Sequence, residues 1–306
     1  MDQNQNQNKN KNNKSTMNIQ CCFCGPVRNC APFLPAVMRN IQKMGSQLFH
    51  DQYAIILFYD KSSDISLSIL KTWKIKLKKE VGVLMHLYIN PATTLSPYRT
   101  HRISAARNKC LDILKNNYST TTCPYFIMMD FDEPNSKPCH PENLQKYFDT
   151  TKSLLNKWDA LSFQTAPHYY DIWALSIAPF SFSYNHFRNN DAFYGIIQTY
   201  MDKKLAKTKC LVSCISAFNG FAIYKTAVFL SCRYSGDIRT STQLSKNIQP
   251  RWIQQHKRAT QSKQVEFRDY GHIKGAHEDC EHRPFHMQAI QQNGARIKIS
   301  PEVIFI

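Results

Sequence analysis

Four short apolar runs, at residues 19–24, 53–59, 83–89 and 125–129, constrain the fold of this chain more than any other feature. Each is short and dense in aliphatic and aromatic side chains and reads as a strand, those at 53–59 and 125–129 as buried ones. The first is followed at once by Gly25-Pro26 and is expected to end there in a turn. Between the runs lie segments with helical spacing: 36–44, where Val37, Ile41 and Met44 recur, then 66–79 and 104–115. Strands alternating with helices predict β-α-β units and a parallel sheet. Right-handed crossovers then bring every strand's carboxyl end to one rim. The expected fold class is α/β, a Rossmann-type, mostly parallel sheet flanked by helices.

The rest of the chain is less regular. Residues 1–17 form an Asn/Gln/Lys-rich tract without apolar periodicity and read as a disordered tail. One domain is expected over 18–306. In the second half, 143–157 reads as helix and 160–163 and 217–224 as strands. Residues 203–209 and 239–264 read as polar and loop-rich. A short helix after 289 and a strand at 296–299 close the domain, and no internal repeat is visible.

Charge narrows the partners. The formal net charge is +17, and Lys9, Lys11 and Lys14 against Asp2 make only +2 of it. Such a field attracts polyanions, including nucleic acid, membranes and diphosphates. The basic residues are dispersed, apart from Lys71, Lys74, Lys76, Lys78 and Lys79 on an expected helix face. No nucleic-acid-binding motif accompanies them, so charge permits nucleic-acid binding without favouring it. No run approaches the ~18 apolar residues of a membrane span, and no transmembrane segment is expected. Eleven cysteines, an odd number behind a polar N-terminus, predict reduced thiols and a cytoplasmic location, the host cytoplasm or virion if the source is viral. Cys21, Cys22, Cys24 and Cys30 are expected as buried thiols, because alternation along a strand spoils a common metal site.

The chemistry concentrates after the fourth run, where Tyr125 to Met129 lead into Asp130-Phe131-Asp132. Open α/β sheets place their ligands outside the carboxyl ends of strands, and a carboxylate near a buried strand is costly unless paired or holding a metal. Two carboxylates there suit Mn²⁺ or Mg²⁺ bound together with substrate phosphates. The alternative is a pair of solvated acids capping the next element. Asp60, at the end of the second strand, falls on the same rim as a nucleotide contact or a turn residue. Arg102 and Arg107 suit a diphosphate or a neighbouring carboxylate, and Asn108 a base or a backbone turn. Tyr170, Asp171 and Trp173 mix rings with a carboxylate, as a sugar pocket or as plain core.

Taken together, these motifs resemble the GT-A type nucleotide-diphosphate-sugar glycosyltransferases, those carrying a DxD motif. The resemblance rests on the loop from Asn29-Cys30 to Leu34-Pro35, on Phe58-Tyr59-Asp60, on Ala105-Ala106-Arg107-Asn108 and on Asp130-Phe131-Asp132. It extends through Glu281-His282 to His286, Gly294 and Ile297-Lys298-Ile299-Ser300-Pro301. Tyr170-Asp171-Ile172-Trp173-Ala174-Leu175, Phe218-Asn219-Gly220 and Cys280-Glu281-His282 are similar to a branch found in large DNA viruses and some microbes. That branch usually carries Arg where this chain has Ser176, and a more flexible residue at Pro134. The resemblance implies a GT-A-like fold, with a nucleotide-binding half at about 18–135 and an acceptor and sugar half at about 136–306, and a metal-dependent glycosyltransferase with a nucleoside-diphosphate sugar donor and a glycan or protein acceptor. Asp130 and Asp132 would then be metal ligands with His286 as a late one. Asp60, Arg102, Arg107, Asn108 and Asp130 would bind the donor. Tyr170, Asp171 and Trp173 would bind sugar or acceptor. Glu281 would be the general base, with Asp279 or Glu278 as alternatives. A basic nucleic-acid-binding protein or a non-catalytic glycan-binding protein on the same fold is the alternative function. The dense segment 277–286 admits one more reading, a structural zinc on His277, Cys280, His282 and His286, although its spacing matches no standard finger.

Overall fold

Apolar alternation decides the first half of the fold. The computed structural model describes residues 19–92, 96–148, 157–181, 190–240, 254–255, 257–258 and 278–306, with side chains from 193 in the fourth segment. The expected tail, the 143–157 helix beyond 148 and most of the 239–264 loop lie outside the described residues. In chain order come β1 (Cys21–Val27), α1 (Leu34–Phe49), β2 (Tyr53–Tyr59), α2 (Ser66–Val81), β3 (Leu84–Ile89), α3 (Arg99–Asn117) and β4 (Tyr125–Met129). Strands β3, β2, β1 and β4 lie side by side in that order, all parallel. Along β1, Cys21 and Phe23 face a core shared with α1 and α2, whereas Cys22 and Cys24 face one shared with α3. Cys21, Cys22, Cys24 and Cys30 are buried free thiols.

Strand β1 does not stop at Gly25-Pro26 as expected but runs to Val27. Its pairing with β4 ends at Cys24–Met128, while that with β2 continues to Val27–Tyr59. Val27 accepts the N–H of Asp60, so the nitrogen of Pro26 points to the side where no ladder partner is needed. A Cβ on Gly25 would lie 2.3 Å from the Met129 carbonyl and 2.6 Å from the Phe131 ring. Glycine there lets the first aspartate turn close over β1.

The second half adds α4 (Glu142–Phe148), β5 (Ala160–Gln164), α5 (Asn190–Lys207), β6 (Val212–Cys214), β7 (Phe221–Lys225), α6 (Thr226–Phe229), α7 (His282–Asn293) and β8 (Ile297–Val303). The completed sheet runs β3-β2-β1-β4-β7-β5-β8-β6, with β7 and β6 antiparallel to their neighbours. The fold class is thus α/β with a mixed, mostly parallel eight-stranded sheet. Several expectations are corrected. Residues 203–207 are helix rather than loop, because Phe193, Ile197, Met201 and Leu205 recur every fourth residue and bury one face of α5. The strand expected at 217–224 starts only at Phe221, since Asn219 and Gly220 take positive φ and turn the chain. Helix α3 begins at Arg99, five residues early. Glu278, from 178 positions away, accepts the Thr100 N–H at 2.8 Å and so caps it. Helix α7 starts at His282, inside the charged segment, and β8 continues through Pro301 to Val303.

Candidate active site

The parallel strands deliver their carboxyl ends to one cavity of about 420 Å³. The end of β1 brings Pro26, Val27 and the following Arg28, the turn after β2 brings Asp60, and the turn after β4 brings Asp130, Phe131 and Asp132. Helix α3 supplies Arg99, Arg102 and Arg107, the segment after β5 supplies Tyr170, Asp171 and Trp173, and the start of α7 supplies Glu281 and His282. Five carboxylates therefore face four arginines within one enclosure.

The two aspartates after β4 are held differently. Asp130 accepts a 2.9 Å hydrogen bond from Arg107. Asp132 has a buried Oδ1 without a hydrogen-bond partner among the described residues. Burial, reinforced by the charge of Asp130, raises its carboxyl to about 7. Their turn is tied down by Asn135, whose amide donates to the Asp130 carbonyl at 2.8 Å and the Gly220 carbonyl at 2.7 Å. An orphaned buried carboxylate oxygen beside a second carboxylate fits a hard divalent cation, which usually takes one or two carboxylates and completes its shell with water and phosphate. Among the described residues no three His, Cys, Asp or Glu side chains converge as a ready-made cage.

Arg107 is the electrostatic centre of the cavity floor. It is 2% exposed and stands between Asp130 and Glu281, its Nε 3.0 Å from the Glu281 carboxylate, with the guanidinium 4.5 Å from the Phe218 ring centroid. Burial would lower its pKa, but Asp130 and then Glu281 raise it above the ordinary value. Burial raises Glu281 in turn, with Arg107 pulling it back. On the other side of Glu281, His282 Nε2 lies 3.6 Å away. That imidazole stacks on Phe218 at 3.7 Å, and burial and Arg107 hold it neutral, with a pKa well below normal.

Asp60 accepts hydrogen bonds from the Lys61 N–H at 3.0 Å and the Asn90 amide at 3.1 Å, with Arg28 at 4.0 Å. Arg102 lines the cavity while its Nη1 donates to the Ser96 carbonyl at 2.7 Å. Tyr170 is 52% exposed at the mouth. Asp171, raised to about 6 by burial, accepts the Ala174 N–H at 3.0 Å. Both backbone N–H groups of Tyr170 and Asp171 donate to the side chain of Asn219, at 2.9 and 2.7 Å. Asn219 thereby aims both residues, a role that sequence reasoning missed although the Asn-Gly dipeptide marks a positive-φ turn. Arg28, Arg99 and Asn135 were likewise not expected as site residues, and His282 was expected only as a zinc ligand.

Four expected site residues lie elsewhere. His286 is not a cavity residue: its Nδ1 meets Ser216 Oγ at 3.0 Å and its Nε2 meets the Tyr224 hydroxyl at 3.1 Å, and burial drives its pKa to about 3. With both nitrogens engaged among aromatic rings, it is a core histidine rather than a metal ligand. Asp279 is fully buried and ion-paired with Arg283, which also donates to Ser176 Oγ at 2.8 Å and the Trp173 carbonyl at 2.6 Å. Its carboxylate anchors the segment carrying Trp173 instead of entering the cavity, and Glu278 caps α3. The zinc reading meets the same obstacle, since His282 and His286 both turn to Tyr224 while His277 lies outside the described residues. Asn108 accepts the Tyr234 N–H and donates to the Tyr234 carbonyl, both at 2.9 Å, so it pins a backbone turn instead of a donor. Asn108→Ala is expected to cost about 1–3 kcal/mol by leaving that peptide unpaired. A chemical denaturation midpoint equal to wild type would show the two bonds to be dispensable.

No protein-family model and no curated protein matches this sequence. In solved structures the chain is similar to S. aureus TarS 1-349 in complex with UDP, at 11% identity and TM-score 0.46, over 94% of this chain and 59% of that one. It is also similar to the mannosyltransferase PcManGT from Pyrobaculum calidifontis in complex with GDP-Man and Mn²⁺, at 12% identity and TM-score 0.42, over 89% and 69%. A third is glucosyl-3-phosphoglycerate synthase from Mycobacterium tuberculosis with Mn²⁺, UDP and phosphoglyceric acid, at 11% identity and TM-score 0.41, over 75% and 65%. The chain thus spans about three-fifths of the TarS chain it matches.

Proposed function

We propose that this chain is a metal-dependent glycosyltransferase that moves a sugar from a nucleoside-diphosphate sugar to a hydroxyl of a glycan or protein acceptor. The observation that carries the reading is the pairing of Asp130 with the orphaned Asp132 in a cavity that also collects Arg28, Arg99 and Arg102. Acids beside arginines, at the carboxyl ends of parallel strands, suit a diphosphate bridged to the protein by a divalent cation. A bound Mn²⁺ or Mg²⁺ would be held by Asp130 and Asp132 and would supply Lewis-acid stabilisation of the leaving diphosphate.

The chain's own residues do the rest. Asp60, braced by Asn90, takes the nucleoside end of the donor. The arginines at the mouth pair with phosphate oxygens. Tyr170, Asp171 and Trp173, aimed by Asn219, shape the sugar and acceptor side. Glu281 is the base: its carboxylate accepts the proton of the acceptor hydroxyl as the new bond to the anomeric carbon forms. The bond from that carbon to the diphosphate oxygen breaks, and the electron pair leaves with the diphosphate. Burial makes Glu281 more basic than a free carboxylate, while Arg107 and His282 fix its orientation.

Thermal unfolding with a panel of uridine- and guanosine-linked sugars, with and without Mn²⁺, tests this reading. A donor at a hundred times its dissociation constant is expected to add about 2.7 kcal/mol, and only when metal is present. No shift with any donor, or an equal shift without metal, would contradict it.

A further inference from the structure

Helix α2 carries a surface that the cavity does not use. Leu70, Trp73 and Leu77 pack into the core, leaving the opposite face to solvent. At the middle of that face stands Ile75, 70% exposed. Its neighbours one turn away are Lys71 at i−4, Lys78 at i+3 and Lys79 at i+4, all exposed, and Lys74 adjoins it. Lys76 leans over the Trp73 ring and toward Glu80, the one acid of the helix. Of the eight large hydrophobic residues exposed among the described residues, Ile65, Ile75, Leu84 and Ile89 belong to α2, its N-cap or the adjoining edge strand β3.

We infer that the outer face of α2 is a docking surface for an anionic lipid bilayer, with the lysines meeting headgroups and Ile75 entering the interface. Charge complementarity argues for an anionic partner, and the net charge of +17 supplies the long-range field. The lysine-ringed isoleucine favours lipid over nucleic acid. An aliphatic tip gains by entering the acyl boundary but has nothing to read on a phosphate backbone. The aromatic ring a single strand would stack on, Trp73, is buried beneath Lys76. The helix begins six residues after Asp60, so its N-terminal end borders the rim that forms the cavity. Docking through α2 would therefore hold the cavity close to the lipid surface.

Co-sedimentation of the full chain with vesicles tests this independently of any sugar donor. Vesicles of phosphatidylcholine with about a third phosphatidylserine are expected to bind the protein, pure phosphatidylcholine vesicles are not, and binding is expected to fall as salt rises. The triple variant Lys71→Glu, Lys78→Glu, Lys79→Glu is expected to lose binding by roughly a hundredfold or more, at about fivefold for each lysine removed. Ile75→Asn is expected to weaken vesicle binding several-fold while leaving the weak affinity for a single-stranded oligonucleotide unchanged. All these positions are exposed, so every variant is expected to fold, with an unchanged unfolding midpoint for Ile75→Asn and a modest drop for the triple variant, whose glutamates at 78 and 79 oppose the dipole at the end of α2. Absence of wild-type binding to the anionic vesicles, or binding that survives the triple reversal or Ile75→Asn, would overturn the inference. So would tight oligonucleotide binding that the triple variant abolishes, which would assign the face to nucleic acid.

Discussion

Arg107→Met is expected to destabilise the protein by about 3–5 kcal/mol, the cost of stranding buried charge. Its guanidinium is wedged between Asp130 and Glu281 and against Phe218, so a methionine of similar length preserves much of the packing and removes the charge alone. Asp130 and Glu281 then face each other's field without a counter-charge. The loss should depend on pH with a definite sign. Glu281, already raised by burial, loses the Arg107 charge that pulls it back, so in the variant the folded state binds more protons than the unfolded one. Stability is then retained at low pH and lost as pH rises through the elevated pKa of Glu281. Denaturant titrations at pH 5 and pH 8 check this. A loss below about 1 kcal/mol at both would mean that water already screens the pair, as it does exposed ion pairs. Arg107→Lys is expected to recover only part of the loss, because a single ammonium cannot span both carboxylates.

Asp132→Asn is expected to have two opposed effects. In metal-free protein it should stabilise the fold above neutral pH, since burial and Asp130 hold the wild-type carboxyl at about 7 against an ordinary value of 3.8. A raised acid pKa means that wild-type stability is highest below the unfolded value and falls between about pH 4 and 7, by up to roughly 4 kcal/mol. The amide removes that fall, so the variant's unfolding midpoint should vary less with pH and exceed wild type at pH 8. In function the change should be severe: no Mn²⁺-dependent donor shift, and transfer reduced by roughly a hundredfold or more. A variant that is no more stable than wild type at pH 8 would show that Asp132 is solvated in the folded state. A variant that keeps metal-dependent transfer would remove it from the metal site. Stability sacrificed at a carboxylate that a ligand would later neutralise is the usual trade between folding and function.

Much of this was legible in the sequence, for local reasons. Tyr53 to Tyr59 and Tyr125 to Met129 are strands where their composition places them. The helices between them forced a parallel arrangement, and the parallel arrangement carried Asp60, Asp130 and Asp132 to one cavity. Where the reading failed, a distant partner had intervened. Glu278 extends α3 by capping it, and Asn108 spends both ends of its amide on Tyr234, 126 residues away. Helix α5 was missed for another reason: its four-residue apolar stripe is diluted by lysines on the solvent side.

The late charged segment shows where the boundary lies. Its density of His, Glu and Asp marked it as chemically loaded, yet residue types alone could not divide the labour within it. Once α7 starts at His282, Glu281 and His282 meet the cavity. His286, four residues on and about 6 Å further along the helix axis, drops among Tyr224, Phe229 and Phe285. By itself, then, the sequence determined the strands, their alternation and the rim on which the aspartates sit, because each depends on neighbours a few residues away. Only the tertiary structure decided which histidine faces the cavity, that Arg107 joins Asp130 to Glu281, and that Asn219 aims Tyr170 and Asp171. Those outcomes depend on pairs separated by 23 to 174 positions, whose meeting is set by helix start points and packing across the sheet rather than by any local pattern.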